Sequence, residues 1–427
     1  WTRDALGSFA AAFAAGVMST VWLNATETEV YAASLCGAMA IVWAADRYRA
    51  SSESRWLVLT LYLCGLAWAL HLTALLAVPA AFMLVTAARS RPRITDVALG
   101  LALAVLGGSV VLFLLIRAWH DPAINQGNPA TIAALIDVVE RHQYDVAPLW
   151  PRRAPLWLQF GNVFEYADWQ FALGLAPEPA PRPARTTITV IYALLGAYGC
   201  VRHRAVSRDT WRAWMTFFVT TSVGVVFYLN MRAGASYGWG VLPPNAIHEA
   251  RDRDYFFTWA FLCWGAWAGY GAVALARRVA RDWPPWTRPA LAVALGVAVA
   301  PVALNWSAVR TERRDAQRAA EREAVAMLGD LPPRAVFLAI GDNDTYPLWY
   351  LQQVRGMRRD VTVVTIPLLT PPWYRAELRR RYTLLDSLYT ADWYGTRLTL
   401  QNVRARAAAL GRPVVESPYT RSPRHAN

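Results

Sequence analysis

The sequence predicts an α-helical polytopic membrane protein that ends in a small C-terminal α/β soluble domain. Three observations lead there. Apolar runs recur at close to the ~20 residues needed to cross a hydrocarbon core about 30 Å thick. Arginines collect in short segments between those runs, and after about residue 309 the pattern changes to polar, alternating strand and helix. Of the 427 residues 55% are hydrophobic and 21 are tryptophan, a share that suits lipid better than water as the solvent.

Hydropathy places about nine spans in a transmembrane domain of residues 1–308, at 5–23, 28–45, 56–70, 72–86, 95–117, 187–201, 211–229, 255–276 and 289–306. Arg47, Arg49 and Arg55, then Arg89, Arg91 and Arg93, then Arg202, Arg204, Arg208 and Arg212, then Arg277, Arg278, Arg281 and Arg288 fall between spans. With residue 1 inside, every one of these clusters is inside too, as the positive-inside rule requires. The long loops 118–186 and 230–254 and the C-terminal tail are then outside. Leu70, His71 and Leu72 leave room only for a tight reversal, so 56–86 reads either as two short helices or as one long tilted helix. The formal net charge of +13 is carried by arginine alone, since the chain has no lysine. Its placement beside spans speaks for a membrane surface and against nucleic acid. Cys36, Cys64, Cys200 and Cys263 lie in apolar runs without metal-ligand spacing and read as small hydrophobes.

Residues 309–427 form the predicted soluble, extracytoplasmic α/β domain. A helix over 310–328 leads to the Pro332–Pro333 break, followed by a strand at 335–340, a helix at 345–354, a strand at 360–369 and a helix at 373–382. Alternation of this kind predicts parallel pairing.

Four constellations can carry chemistry. Residues 248–255 place His248, Glu249, Arg251, Asp252, Arg253 and Asp254 at a membrane face, where the arginines can hold a lipid phosphate. The competing reading is a solvated, self-neutralised helix cap. Glu27 and Glu29 follow the first span. Thr26 as N-cap with Glu29 three residues on reads as a capping box, yet a carboxylate entering an apolar helix is costly unless it faces a cavity, which favours function for Glu29. Loop 118–186 carries Tyr144, Trp150, Trp157 and other aromatics of an interfacial belt, with Asp168, Trp169 and Gln170 set apart as groups able to meet a sugar. Asp342 and Asp344 at a strand end are weak candidates for a divalent metal bridging a diphosphate, and Asp344 as helix N-cap competes with that. His71 reads as a packed, polar-bridging residue. No Walker loop, nucleophilic triad, Rossmann glycine pattern or HExxH is present, which argues against an ATP-driven pump or an embedded metalloprotease.

Five phrases, at 21–31 (VWLNATETEVY), 65–73 (GLAWALHLT), 160–171 (FGNVFEYADWQF), 248–257 (HEARDRDYFF) and 340–350 (IGDNDTYPLWY), together resemble the protein O-mannosyltransferase-like family of multispanning glycosyltransferases with the GT-C architecture. The resemblance implies transfer of a hexose, typically mannose, from a polyprenyl-phosphate donor to an acceptor hydroxyl on protein or glycan at the outer membrane face. It implies a carboxylate base in the first outer loop, and because the first span here matches a later helix of the family, that base is expected N-terminal to Trp1. Glu29 and Glu249 are the candidates within the chain. Arg251 and Arg253 would clamp the phosphate, with His248, Asp252, Asp254, Trp169 and Gln170 around donor or acceptor. The lipid-phosphate sugar is the donor, no cofactor is specified, and a divalent metal is a candidate. The alanine-rich, lysine-free composition points to a GC-rich bacterial genome, hence an inner membrane with the C-terminal domain periplasmic. A lipid-linked-sugar flippase and a noncatalytic membrane scaffold are the rival classes.

Overall fold

The structure is a computed structural model that describes residues 4–27, 29–142, 147–310 and 314–421; Tyr144 and Thr28 lie outside them. Two compact units are present, the first of residues 1–111 and 146–310 and the second of residues 112–145 and 311–427. Residues 112–145 gather with residues 311–427 in the second unit. Within that second unit, Arg380 Nη1 donates to Asp121 Oδ2 at 2.9 Å and Arg381 Nη2 donates to the Pro122 carbonyl at 2.7 Å.

Among its described residues the regular structure of the first unit is helical. In chain order it holds α1 (Ala5–Gly16), α2 (Ser19–Thr26), α3 (Tyr31–Ser51), α4 (Ser54–Leu70), a 3-10 turn Leu72–Ala77 leading to α5 (Val78–Thr86), and α6 (Ile94–Gly108). In the second unit α7 (Leu112–Trp119) and α8 (Ile132–Val139) follow. The first unit resumes with α9 (Leu156–Asp168), α10 (Pro183–Val206), α11 (Arg208–Val219), α12 (Val225–Leu229), α13 (Thr258–Asp282) and α14 (Thr287–Val309). Over their described residues the predicted spans are mostly helical, with that at 5–23 broken at residues 17–18. Among the described residues five helices are long and apolar enough to cross a membrane, or six if α1 and α2, bent by 70°, are one broken span. The protein is an integral membrane protein of mostly helical build.

Side-chain contacts decide the ambiguous 56–86 segment. Trp43 of α3 meets Trp56 at the start of α4 with ring centroids 5.1 Å apart, while Gly37 lies beside Leu70 at its end, so α4 runs antiparallel to α3. Ser34 bonds Thr73 at 2.8 Å and the Tyr48 hydroxyl donates to the Ser90 carbonyl at 3.4 Å, so the following segment runs parallel to α3. The chain therefore reverses at His71, whose ring nitrogen accepts from the Thr73 N–H.

Close helix contact depends on glycine. A Cβ at Gly199 of α10 would lie 1.9 Å from the Trp267 carbonyl oxygen, and one at Gly271 of α13 would lie 2.1 Å from that of Leu195. Small residues let two backbones approach in lipid, where packing replaces the hydrophobic drive between helices.

The second unit, beyond α7 and α8, comprises α15 (Arg314–Gly329), β1 (Val336–Ala339), α16 (Asp342–Gln353), β2 (Thr362–Thr365), α17 (Pro372–Tyr382), α18 (Ser387–Ala391), α19 (Thr396–Ala409) and β3 (Val414–Glu416). The sheet order is β2-β1-β3 and both pairings are parallel. The predicted strand at 360–369 is shorter than expected, because Pro367 turns the chain into a 3-10 turn, Ile366–Leu369. The strand β3 was not anticipated from sequence. Val336 and Leu338 pack toward Val364, Leu378 and Val403, while Phe337 and Ala339 pack toward Leu328 and Leu348, giving the sheet a core on each face.

Gly199→Ala is expected to lower the thermal midpoint of the detergent-solubilised protein, since overpacking typically costs about 1–3 kcal/mol. Gly296→Ala, where a Cβ meets nothing within 4 Å, leaves it unchanged or raised. Equal effects at both positions would contradict the close α10–α13 contact.

Candidate functional site

The site begins with a helix that breaks. α1 stops at Gly16, and α2 starts at Ser19 at 70° to it. The break leaves carbonyl and amide groups without helical partners, and lipid can supply none. Protein groups do so instead. The Asn305 side chain of α14, fully buried, donates from Nδ2 to the carbonyls of Val17 (3.0 Å) and Gln170 (2.9 Å) and accepts from the Leu173 N–H (2.8 Å). The Ser19 N–H donates to the Gln170 carbonyl at 2.8 Å and the Ser19 hydroxyl to the Trp169 carbonyl at 2.8 Å. The turn after α9 thus caps the N-terminus of α2 from 150 residues away.

This fixes the roles of two expected sugar contacts. Gln170 is fully buried, and its amide donates to the Thr20 hydroxyl (2.8 Å) and the Tyr166 carbonyl (2.7 Å), so no group of it remains to meet a ligand. Trp169, half-buried, donates its indole N–H to the Pro179 carbonyl at 3.0 Å. Asp168 pairs with fully buried Arg185 at 2.8 Å, and Arg185 also donates to the carbonyls of Glu178, Pro179 and Ala180. These three residues hold the turn together.

The bend carries the end of α2 to the start of α13. There a cavity of about 170 Å³ is lined by Leu23, Asn24, Glu27, Glu29, Tyr31, Arg251, Asp254 and Tyr255. Two clusters that sequence placed more than 220 residues apart meet in it. The Thr20 hydroxyl donates to Asp254 Oδ2 at 2.7 Å. The Arg251 guanidinium lies over the Tyr255 ring at 5.1 Å, and Tyr255 in turn faces Tyr31 with centroids 4.9 Å apart. Glu27 is held above its usual carboxylate range, first because the wall desolvates it and then because Glu29 and Asp254 place like charge beside it. Asn24 is shared with a second, apolar cavity of about 260 Å³, walled by Val21, Leu35, Cys36, Met39 and Leu262.

Thr26 is not the expected N-cap. It ends α2, its hydroxyl donating back to the carbonyls of Trp22 and Leu23, and α3 starts only at Tyr31 with no side-chain cap. Glu29 is thereby free of a capping-box role and stands at the cavity.

The segment 248–254 divides in two. Arg251 and Asp254 face the cavity, whereas the others pin the loop 230–240. Glu249, 8% exposed, accepts the Arg232 N–H (2.9 Å) on one oxygen and pairs with Arg253 (2.9 Å) on the other. Glu249, expected as a base, and Arg253, expected as a clamp, are thus paired with each other and are not among the residues that line the cavity. His248 stacks on Trp239 with centroids 4.2 Å apart and bonds the Gly234 carbonyl through Nδ1. Asp252 Oδ1 accepts the Ser236 N–H at 3.2 Å.

Sequence reasoning set no weight on Glu165, which is buried beside that loop. The Ser236 hydroxyl lies 2.9 Å from both Glu165 Oε2 and Asp252 Oδ1. A hydroxyl has one proton to donate, so the other contact is a hydrogen bond only if one of the carboxyls is protonated. Burial, followed by the Asp252 charge, raises Glu165 from 4.5 to about 7, partly offset by the Ser236 bond. In the second unit, Asp344 accepts the N–H groups of Ile340 and Gly341, both at 2.9 Å. It caps the helix from its third position, α16 having begun at Asp342, which is the structural role set against a metal at the pair Asp342–Asp344. Among the described residues no group of three or more His, Cys, Asp or Glu side chains is placed to hold one.

A carboxyl with a raised folded-state pKa adds stability that is complete below its unfolded value and is lost as pH rises through the folded one. Thermal stability is expected to fall between about pH 4.5 and 7, by about 3 kcal/mol for a shift of this size. Glu165→Gln removes that fall. A variant whose stability declines over the same range as the parent contradicts the assignment.

Residues 2–94, which include Glu27, Glu29 and Tyr31, match the family profile described as Protein O-mannosyl-transferase TMEM260 N-terminal domain. Residues 320–395, which include β1, α16 and β2, match the one described as TMEM260-associated domain 2. No curated protein and no solved structure matches the chain. Both an N-terminal and a C-terminal portion of the chain are thus similar to the protein O-mannosyltransferase-like family.

Proposed function

We propose that the protein transfers a hexose, typically mannose, from a polyprenyl-phosphate donor to an acceptor hydroxyl, on protein by preference, at the outer face of a bacterial inner membrane. The observation that carries this reading is the pair of adjoining cavities. One is polar, with a single arginine among Glu27, Glu29 and Asp254, and the other is apolar, the two sharing Asn24. A lipid-linked sugar phosphate has the same division: a charged head beside a long hydrocarbon tail.

In the mechanism proposed, the Arg251 guanidinium holds the donor phosphate and stabilises its growing charge as the glycosidic bond breaks. Its stacking on Tyr255 and the Asp254–Thr20–Gln170 chain keep that corner of the cavity in place. A carboxylate takes the acceptor proton as the hydroxyl oxygen attacks the anomeric carbon, and the polyprenyl phosphate departs in a single inverting displacement. Glu27 is the better proton acceptor of the two rim glutamates because its environment raises its basicity, and Glu29 sustains that basicity by its charge. The GT-C class and the outward orientation rest on the family resemblance and on the arginine-rich segments between spans.

Transfer of radiolabelled mannose from polyprenyl-phosphate mannose, measured in membranes that contain the protein, tests this. Arg251→Ala is expected to lower kcat/KM by roughly 10²–10³-fold, and Glu27→Gln by roughly 10²–10⁴-fold. Arg253→Ala lowers thermal stability more than turnover, because its partner is buried Glu249. Activity rises with pH as Glu27 loses its proton, and in Glu29→Gln that limb moves to lower pH because a neighbouring negative charge is gone. Full transfer by Glu27→Gln and Arg251→Ala would remove these residues from the mechanism, and lipid-sugar movement across the membrane with no transfer by the parent would replace the enzyme with the flippase.

A further inference from the structure

A second polar cavity, of about 470 Å³, has no part in the reaction proposed above. It lies at the far end of α13. Tyr255 and Arg278 are 23 residues apart, which at 1.5 Å per helical residue is about 34 Å, close to one hydrocarbon thickness. The two cavities therefore mark opposite ends of the same membrane-length helix.

The spacing that builds this cavity is visible along each helix. Tyr270, Ala274, Arg277, Arg278 and Arg281 recur on one face of α13, and Tyr198 and Arg202 are one turn apart on α10. One residue after each of the tyrosines 198 and 270 the two helices meet at Gly199 and Gly271, where neither tolerates a Cβ. Past that contact the side chains grow from none to arginine, and a space opens that is lined by guanidinium groups.

Charge in the cavity is unbalanced. Its lining has four arginines and one carboxylate, Asp282. Asp4 at the start of α1 neutralises Arg277 at 2.7 Å, but no ion pair to a described residue is made by Arg202, Arg278 or Arg281. Three guanidiniums of like sign in one concave space repel one another unless an anion joins them. Two phenols at the wall supply amphipathic groups of the kind that sit at headgroup depth. On α10, Leu194 and Val201 flank Tyr198 at 67% and 65% exposure, an apolar strip that acyl chains would cover.

We infer that this arginine cavity is a binding site for a phosphate group, presented by the headgroup of an anionic phospholipid whose acyl chains lie along α10. Arg278, Arg281 and Arg202 hold the phosphate oxygens, and Tyr198 and Tyr270 bound the headgroup. The site ties the arginine-rich end of α13 to the membrane surface while the other end holds the donor. It stands independently of the transfer reaction.

Native mass spectrometry of the purified protein, titrated with phosphatidylglycerol or phosphatidylcholine, tests it. The parent is expected to retain phosphatidylglycerol in preference. Arg278→Gln with Arg281→Gln is expected to weaken that binding about 25-fold, on roughly 1 kcal/mol for each basic residue near an anionic surface. Arg278→Lys with Arg281→Lys keeps the charge and restores most of the binding, which separates loss of the site from loss of the fold. Inorganic phosphate competes poorly if the lipid is the source. Displacement by inorganic phosphate with no preference between the two lipids would overturn the lipid assignment in favour of a soluble phosphate. Equal phosphatidylglycerol binding by parent and glutamine variant would overturn the site itself.

Discussion

Backbone groups freed inside a membrane must find partners within the protein, and the break between α1 and α2 is where this demand shapes the molecule. Lipid offers no hydrogen bonds, so the carbonyl of Val17 and the N–H of Ser19 require donors and acceptors from elsewhere in the chain. Asn305 and the carbonyl of Gln170 provide them. Three distant segments, around residues 17, 170 and 305, are locked together as a result. With the break held, α2 turns through 70° and delivers Asn24, Glu27 and Glu29 to the start of α13.

The same economy of partners extends along that face of the first unit. Arg185 gathers Asp168 and the carbonyls of 178–180 around one buried guanidinium, and Glu249 with Arg253 closes the loop 230–240 over α9. A buried charge is tolerated when each of its hydrogen-bonding positions is met, and the removal of one partner is far costlier than the net worth of the pair. The dense charge of 248–254 is therefore mostly structural. What it leaves over, Arg251 and Asp254, is what the cavity uses.

The spans were readable because lipid imposes a long apolar run on every crossing helix, and the arginines between spans marked their ends. The parallel pairing of β1 and β2 was readable from alternation alone. Other features were not. The reversal at His71 depends on contacts of Ser34 and Gly37 with residues about 37 positions away, which leave no local trace. The break at Val17 has no proline to announce it, and its cap comes from a turn 150 residues on. Thr26 and Glu29 have capping-box spacing, but a helix that ends at Thr26 turns that spacing into a coincidence. Trp169 and Gln170 looked like sugar contacts because aromatic and amide groups serve either purpose. The three residues of β3 are too few for a periodic signal. The most useful omission is the meeting of Glu27 and Glu29 with Arg251 and Asp254: each belongs to a cluster marked by its chemistry, and only the fold shows that the four share one cavity.

The central claim is that this cavity and its apolar neighbour together receive a lipid-linked phosphate. A polyprenyl phosphate with a photoreactive group near its head, cross-linked in membranes and mapped to peptides, tests that most directly. The account predicts labelling confined to residues 21–39 and 251–262, competed by unlabelled polyprenyl phosphate. Competable labelling that falls only on other segments would contradict it.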